Sequence, residues 1–261
     1  MPPAPPRSKM QPLKRSRARG ASGKRCYAVG DVHGRNDLLS RLLDLISEHN
    51  ASRPARETIV VMLGDLIDRG PGSREVIEIL MRPLPFAARL VCLKGNHEET
   101  LLRGLSGESE LLPEWLRHGG FECARSYGVA PSMLEGVSAE VIEHNLGSAI
   151  PRAHLRFMAS FADTARFGDY LFVHAGIRPG IAIEQQKTQD LRWIRRGFLD
   201  SVEDFGFTVV HGHSIALEIE EMPNRVGIDT GAYKTGTLTA MWIEDDNRGF
   251  LSASDASTGL S

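Results

Sequence analysis

The sequence predicts a layered α/β fold in a single domain, and three observations carry that expectation. From residue 26 onward, short apolar runs of strand character alternate with segments of helical periodicity, the order that produces sheets covered by helices. Three of the runs end in Gly-Asp or Gly-Asn, at Gly30-Asp31, Gly64-Asp65 and Gly95-Asn96. Polar groups placed there suit an open α/β sheet, whose ligands bind beyond the carboxyl ends of its strands. No internal repeat and no Pro/Gly/Ser-rich linker divides the chain after residue 26.

The elements follow in order. Residues 26–29 form a short strand that runs into Gly30-Asp31. Asn36 or Asp37 then caps a helix whose apolar positions Leu38, Leu39, Leu42, Leu43 and Ile46 share one face. Residues 58–63 are continuously apolar after the leading Thr58, as in a strand covered on both faces. Ser73 caps a helix carrying Val76, Ile77 and Leu80. Residues 90–93 form another strand, and residues 99–165 read as a mostly helical insert broken by Gly119-Gly120 and Pro151. Strand-like runs return at residues 170–173, 207–210, 226–228 and 237–243.

The chain has 261 residues, with 31 Lys and Arg against 33 Asp and Glu. Residues 1–25 hold eight of the basic residues and no acid, together with Pro2, Pro3, Pro5, Pro6 and Pro12. Such a segment buries too little apolar surface to fold, so residues 1–25 are expected to be a disordered basic tail before a domain at residues 26–261. Any nucleic-acid contact is expected from that tail alone, because the remainder is acidic. No apolar run approaches the ~18 residues a membrane helix needs, so no membrane partner is expected. Cys26, Cys92 and Cys123 are odd in number and contain no C-x-x-C pair. That argues against a disulfide framework or a thiolate zinc site and suits a reducing, cytoplasmic setting.

Chemistry-bearing residues concentrate in five blocks. They are Gly30-Asp31-Val32-His33-Gly34, Gly64-Asp65-Leu66-Ile67-Asp68-Arg69-Gly70, Gly95-Asn96-His97-Glu98, Val173-His174-Ala175-Gly176 and His211-Gly212-His213. Hard oxygen and nitrogen donors between glycines, at strand ends, suit a metal site. Outside the blocks, His49, His118, His144 and His154 read as ordinary surface or helix residues, and Cys26 and Cys92 as buried small apolar groups.

In this order the blocks resemble the phosphoprotein phosphatase branch of the calcineurin-like metallophosphoesterases. That branch holds bacterial and phage serine/threonine protein phosphatases and symmetrical dinucleoside tetraphosphatases. The resemblance extends to residues 115–120, to Ser126-Tyr127-Gly128, to Trp193-Ile194-Arg195 and to residues 227–232. It implies an α-β-β-α sandwich and two divalent metal ions. Asp31 and His33 would hold the first, Asp65 would bridge both, and Asn96, His174 and His213 would complete the second. The mixed donors suit Mn²⁺, with Fe or Zn²⁺ as alternatives, better than Ca²⁺. A metal-bound hydroxide would attack the phosphorus. His97 would protonate the leaving oxygen, Asp68 would orient His97, and Arg69 would bind phosphate oxygens. Arg195 is the expected second arginine, with Arg192 and Arg196 as neighbouring candidates. His211 and Asp229 are candidates for supporting positions around the site.

The resemblance leaves two substrate classes. The first is phosphoserine or phosphothreonine in a protein, and the second is a dinucleoside tetraphosphate. Asp68 and Glu98 favour the first, because the tetraphosphatases often carry Ala at the one position and Asp at the other. A non-catalytic phosphopeptide-binding module would be expected to lack a ligand or the acid, and here none is missing.

Overall fold

A computed structural model describes residues 18–255. Two five-stranded mixed sheets make its centre. The first has the order β10-β9-β1-β2-β3. Its strands are β1 (Lys24–Val29), β2 (Glu57–Met62), β3 (Arg89–Cys92), β9 (Thr237–Glu244) and β10 (Asn247–Ser254). The second has the order β4-β5-β6-β8-β7. It is built from β4 (Thr164–Phe167), β5 (Tyr170–Val173), β6 (Thr208–His211), β7 (Glu220–Glu221) and β8 (Arg225–Gly227). β1, β2 and β3 run parallel, as do β5, β6 and β8. Each parallel set therefore sends its carboxyl ends to one side.

Period-two alternation sorts the side chains into layers. Cys26, Ala28, Val61 and Leu63 point inward and meet Tyr170, Phe172 and Val210 of the other sheet. Tyr27, Val29, Val60 and Met62 point outward, into the helical layer. On the far sheet, Leu171, Val173 and Val209 pack outward against Leu191, Ile194 and Phe198. The result is the expected sandwich of two sheets between two outer layers.

The helices of the first outer layer are α1 (Asn36–Ala51), α2 (Ser73–Leu80) and α3 (Asn96–Gly104). They are followed by α4 (Leu112–Trp115), α5 (Phe121–Ser126), α6 (Ala139–Ala149) and α7 (Arg152–Ala159). The expected face Leu38, Leu39, Leu42, Leu43 and Ile46 is buried in the same cluster as Leu112, Trp115, Cys123 and Leu146 of the insert. The insert is thus a continuation of the core. The other layer carries α8 (Thr188–Trp193), and α9 (Ala232–Thr235) precedes β9. Among the described residues, no helix is long and apolar enough to cross a membrane.

Several boundaries differ from expectation. Residues 1–17 of the expected tail lie outside the described residues, but residues 18–25 are ordered parts of the domain. Lys24 and Arg25 open β1, and Gly20 N–H donates to the Asp245 carbonyl at 2.7 Å. Arg25 is fully buried, donating to Glu244 at 2.6 Å and to Asn50 Oδ1 at 2.5 Å. Its partners lie far along the chain, so the local composition hides them. The insert ends before residue 165, because β4 begins at Thr164 and pairs with β5. β10 was not expected from its polar, weakly alternating run, and pairing with β9 along its whole length makes it a strand. Asn36 and Ser73 are first helical residues and make no side-chain cap of their own helices. Ser73 Oγ instead accepts the Asp68 N–H at 2.9 Å.

Candidate active site

Five loops at strand ends converge between the two sheets. β1 delivers Asp31 and His33, β2 delivers Asp65, Asp68 and Arg69, and β3 delivers Asn96 and His97. β5 delivers His174 and β6 delivers His213. All but Arg69 are nearly inaccessible to solvent. The turns are sharp: His33, Asp65, Asp68, Arg69 and His213 all have φ between 45° and 73°. They are five of the six non-glycine residues with positive φ among the described residues. Each such residue costs about 1–3 kcal/mol and persists only where its surroundings hold it.

Much of that hold comes from Glu98. Its buried carboxylate accepts N–H groups from Asp65 (3.1 Å), Leu66 (2.7 Å), Ile67 (3.3 Å) and Gly95 (2.9 Å). One side chain thus ties the β2 and β3 loops together. Gly95 is required by the same closeness, since a Cβ there would stand 2.1 Å from Asp65 Oδ1.

The donors fit divalent cations. Two groups of buried ligand atoms, each within 4.8 Å of one another, share Asp65: His33–Asp65–His97 and Asp65–His174–His213. His33 Nε2 lies 3.6 Å from Asp65 Oδ2, and His174 Nε2 lies 3.4 Å from Asp65 Oδ1. Asn96 Oδ1 is 3.1 Å from His174 Nε2. The tautomers are set from behind: His33 Nδ1–H donates to the Ile67 carbonyl and His174 Nδ1–H to the Leu63 carbonyl, each at 2.9 Å. Both Nε2 lone pairs then face the shared carboxylate, as in a histidine prepared for a metal. Asp31 Oδ1 and His213 Nε2 are buried without a hydrogen-bond partner. Orphaned atoms of this kind suit cation ligands.

The distribution differs in two respects from expectation. His97, expected only as a proton donor, has its Nε2 3.9 Å from Asp65 Oδ2 and joins the first group. Asp31 lies outside both groups and joins the centre through the His213 N–H, which donates to its Oδ2 at 3.0 Å.

Electrostatics concentrate negative charge at this point. Burial, then Asp229 and Asp65, push the Asp31 carboxyl well above its ordinary range. Burial also acts to raise Asp65, but His174, His97 and His33 outweigh it and hold that carboxyl well below its usual value. Burial disfavours charge on His97, yet the Asp65 and Asp68 carboxylates raise its pKa overall. His97 Nδ1–H donates to Asp68 Oδ2 at 2.6 Å, which leaves Nε2 facing the site. Arg69 spans the mouth, its guanidinium nitrogens 2.9 Å from His33 Nε2 and 3.1 Å from His97 Nε2, and its guanidinium carbon 4.7 Å from the Tyr233 ring centre.

A cleft of about 360 Å³ opens from the site between the insert and the segment after α8, lined among others by Arg69, His97, Trp115, His118, Trp193 and Arg195. Of the three candidate arginines, Arg195 lines this cleft and donates to the His213 carbonyl at 3.2 Å. Arg192 is engaged by Asp163 (2.5 Å) and Glu99 (3.5 Å). Asp229 is buried, accepts the Gly231 N–H at 2.9 Å and is pushed up to about 6, chiefly by burial. His211 packs on Phe198 and donates to the Gly212 carbonyl, and burial pushes it down to about 4. His154, one of the histidines expected at the surface or on a helix, lies on α7, where it is buried and bonded to the Tyr127 hydroxyl at 3.0 Å. The role of Trp115 at the site was not legible from residues 115–120 themselves. Its indole N–H donates to Asp68 Oδ2 at 2.7 Å.

Fold and donor set together define a metal-dependent phosphoester hydrolase of the two-sheet type. The profile of calcineurin-like phosphoesterases matches residues 24–234, and the chain belongs to that family. Two curated relatives show its breadth. Serine/threonine-protein phosphatase 2 of Escherichia coli (strain K12) is 26% identical over 219 residues, covering 82% of this chain and 90% of the relative. The symmetrical bis(5'-nucleosyl)-tetraphosphatase of Legionella pneumophila (strain Corby) is 32% identical over 275 residues, covering 85% and 95%. Among solved structures, a cold-active protein-tyrosine phosphatase of a psychrophilic Shewanella shares the fold. It superposes with a TM-score of 0.56 at 17% identity, covering 89% of this chain and 81% of that one.

Proposed function

We propose that this metallophosphoesterase hydrolyses phosphomonoesters, with phosphoserine and phosphothreonine residues of proteins as its substrates. The observation that carries this reading is the buried Asp68–His97 pair, with its 2.6 Å bond and its Nε2 facing the site. A serine or threonine alkoxide is a poor leaving group and needs a proton as the P–O bond breaks. A nucleoside diphosphate leaves readily without one. A dedicated imidazole acid, oriented by a carboxylate, therefore suits an alkyl ester more than an anhydride.

Two divalent cations held by Asp31, His33, Asp65, Asn96, His174 and His213, with Mn²⁺ the proposed metal, would supply the positive charge that acidifies water and offsets the phosphoryl charge. The chain's own groups do the rest. Asp68 holds the His97 ring by Nδ1 and favours its charged form. His97 Nε2–H delivers a proton to the departing oxygen. Arg69, with its fork at the mouth of the site, binds two phosphate oxygens and keeps the phosphoryl group in line. Arg195 lines the same cleft and offers a second guanidinium to the substrate. The three buried, unpaired cysteines support a reducing, cytoplasmic setting.

A second reading, symmetrical hydrolysis of a dinucleoside tetraphosphate, is favoured by the Legionella relative and by the flat Trp193 and His118 rings lining the cleft. A paired assay with added Mn²⁺ separates the two. Faster phosphate release from a phosphothreonine peptide is the expected result. Faster formation of two ADP molecules from diadenosine tetraphosphate would overturn the first reading.

A further inference from the structure

We propose that Trp115, on the helical insert, is the positioning residue of the general acid. The inference rests on the reading of His97 as proton donor. Asp68 Oδ2 receives two N–H bonds at once, from His97 Nδ1 at 2.6 Å and from Trp115 Nε1 at 2.7 Å. Trp115 is 2% exposed, so its bond to the carboxylate is sheltered from water. Without it, Asp68 could rotate its carboxylate about χ2, and the imidazole would lose its fixed direction.

The backbone shows why such a brace is needed. Asp68 and Arg69 are consecutive non-glycine residues in the left-handed region, at φ 73° and 67°. Two such residues in a row are strained and need outside contacts to hold them. Ser73 Oγ takes the Asp68 N–H, His97 bonds its carboxylate, and further hold comes from the insert. After Trp115 the helix opens into a wide turn, Leu116–Gly120, where His118 and Gly119 leave helical geometry. The Gly119 carbonyl there accepts the Arg69 N–H at 3.0 Å. A Cβ on Gly119 would stand 2.5 Å from Arg69 Cγ. The indole lies against Gly120, which fixes the turn and the ring together. The insert therefore grips Asp68 by its side chain and Arg69 by its backbone. Trp115 transfers no proton itself; it sets where the His97 proton points.

The test is the leaving-group dependence of Trp115→Phe, which keeps the ring packing and removes the N–H. For the Mn²⁺-supplemented enzyme, kcat is measured on a phosphoserine peptide and on p-nitrophenyl phosphate, whose leaving group needs little protonation. The ratio of the two kcat values should fall about tenfold in Trp115→Phe, the loss expected when one bond to a charged group disappears. Metal content should stay at the wild-type level. In His97→Ala the same ratio should fall further. An unchanged ratio in Trp115→Phe, with a fallen ratio in His97→Ala, overturns the positioning role and leaves the acid assignment standing. An unchanged ratio in both overturns the acid assignment on which the role rests. If Trp115→Phe does not fold, the indole N–H resonance of the wild-type protein decides. It should shift strongly upfield in Asp68→Asn, and a resonance that stays in place overturns the proposal.

Discussion

The two halves of the site are built differently. The loops after β1, β2 and β3 are braced among themselves. Glu98 gathers four backbone N–H groups, Asp68 is held by His97, Trp115 and Ser73, and four of the left-handed residues lie here. The loops after β5 and β6 lean on the first half instead. His174 is oriented by the Leu63 carbonyl, and the His213 N–H rests on Asp31. Beyond them the second half opens into exposed Trp193 and Arg195. A rigid half suits charge placement and proton delivery, where an ångström matters. An open half suits discrimination between substrates, which relatives sharing the core chemistry can vary. We expect substitutions in the first half to act on kcat and metal, and those on the rim of the second to act on kcat/KM.

The largest effect is expected at the residue both halves share. Asp65→Ala should reduce bound metal, measured by elemental analysis, and bring phosphate release to background. Metal retained at the wild-type level would break the assignment of a bridging ligand. His97→Ala should keep its metal and lose about 10²- to 10⁴-fold in kcat on a phosphoserine peptide. Glu98→Ala leaves four N–H groups without their acceptor. Metal affinity should fall about 10- to 100-fold, read by titration with Mn²⁺. On the rim, Arg195→Ala should lower kcat/KM about tenfold through weaker binding of the substrate. Arg192→Ala, already engaged with Asp163 and Glu99, should change it less than about threefold. Equal effects from the two arginines would erase the distinction between them. The smallest effect on turnover belongs to Leu42→Ala, buried in the outer helical layer far from the chemistry. It should cost about 2–5 kcal/mol in denaturant unfolding while kcat per folded molecule is preserved.

How far each feature could be read from the chain depends on the range of the interaction behind it. Asp31, His33, Asp65, Asn96, His97, His174 and His213 stand in short blocks at strand ends, where glycines and donors are neighbours in sequence. Their convergence needs only parallel strands whose carboxyl ends share a side. The Leu38–Ile46 face of α1 was legible for a similar reason, because a helix repeats every few residues. β10 was not, since its pattern is polar and only its pairing with β9 makes it a strand. Ser73 has the composition of a helix cap, yet its hydroxyl serves Asp68, a use that depends on how the β2 loop turns back. Arg25 reads as part of a basic tail but is buried against Glu244, 219 residues away.

The sequence by itself determined the layered α/β class, the order in the chain of seven of the ten strands and the identity of the donor blocks. These follow from local periodicity and from residue chemistry that acts over a few positions. Tertiary structure alone decided which donors share a space. It placed His97 beside Asp65, joined Asp31 to the centre through the His213 N–H, put Arg195 on the cleft and carried the Trp115 indole across 47 residues of sequence to Asp68. Hydrogen bonds and charge pairs act over a few ångströms of space, and only the packed chain brings such distant residues that close.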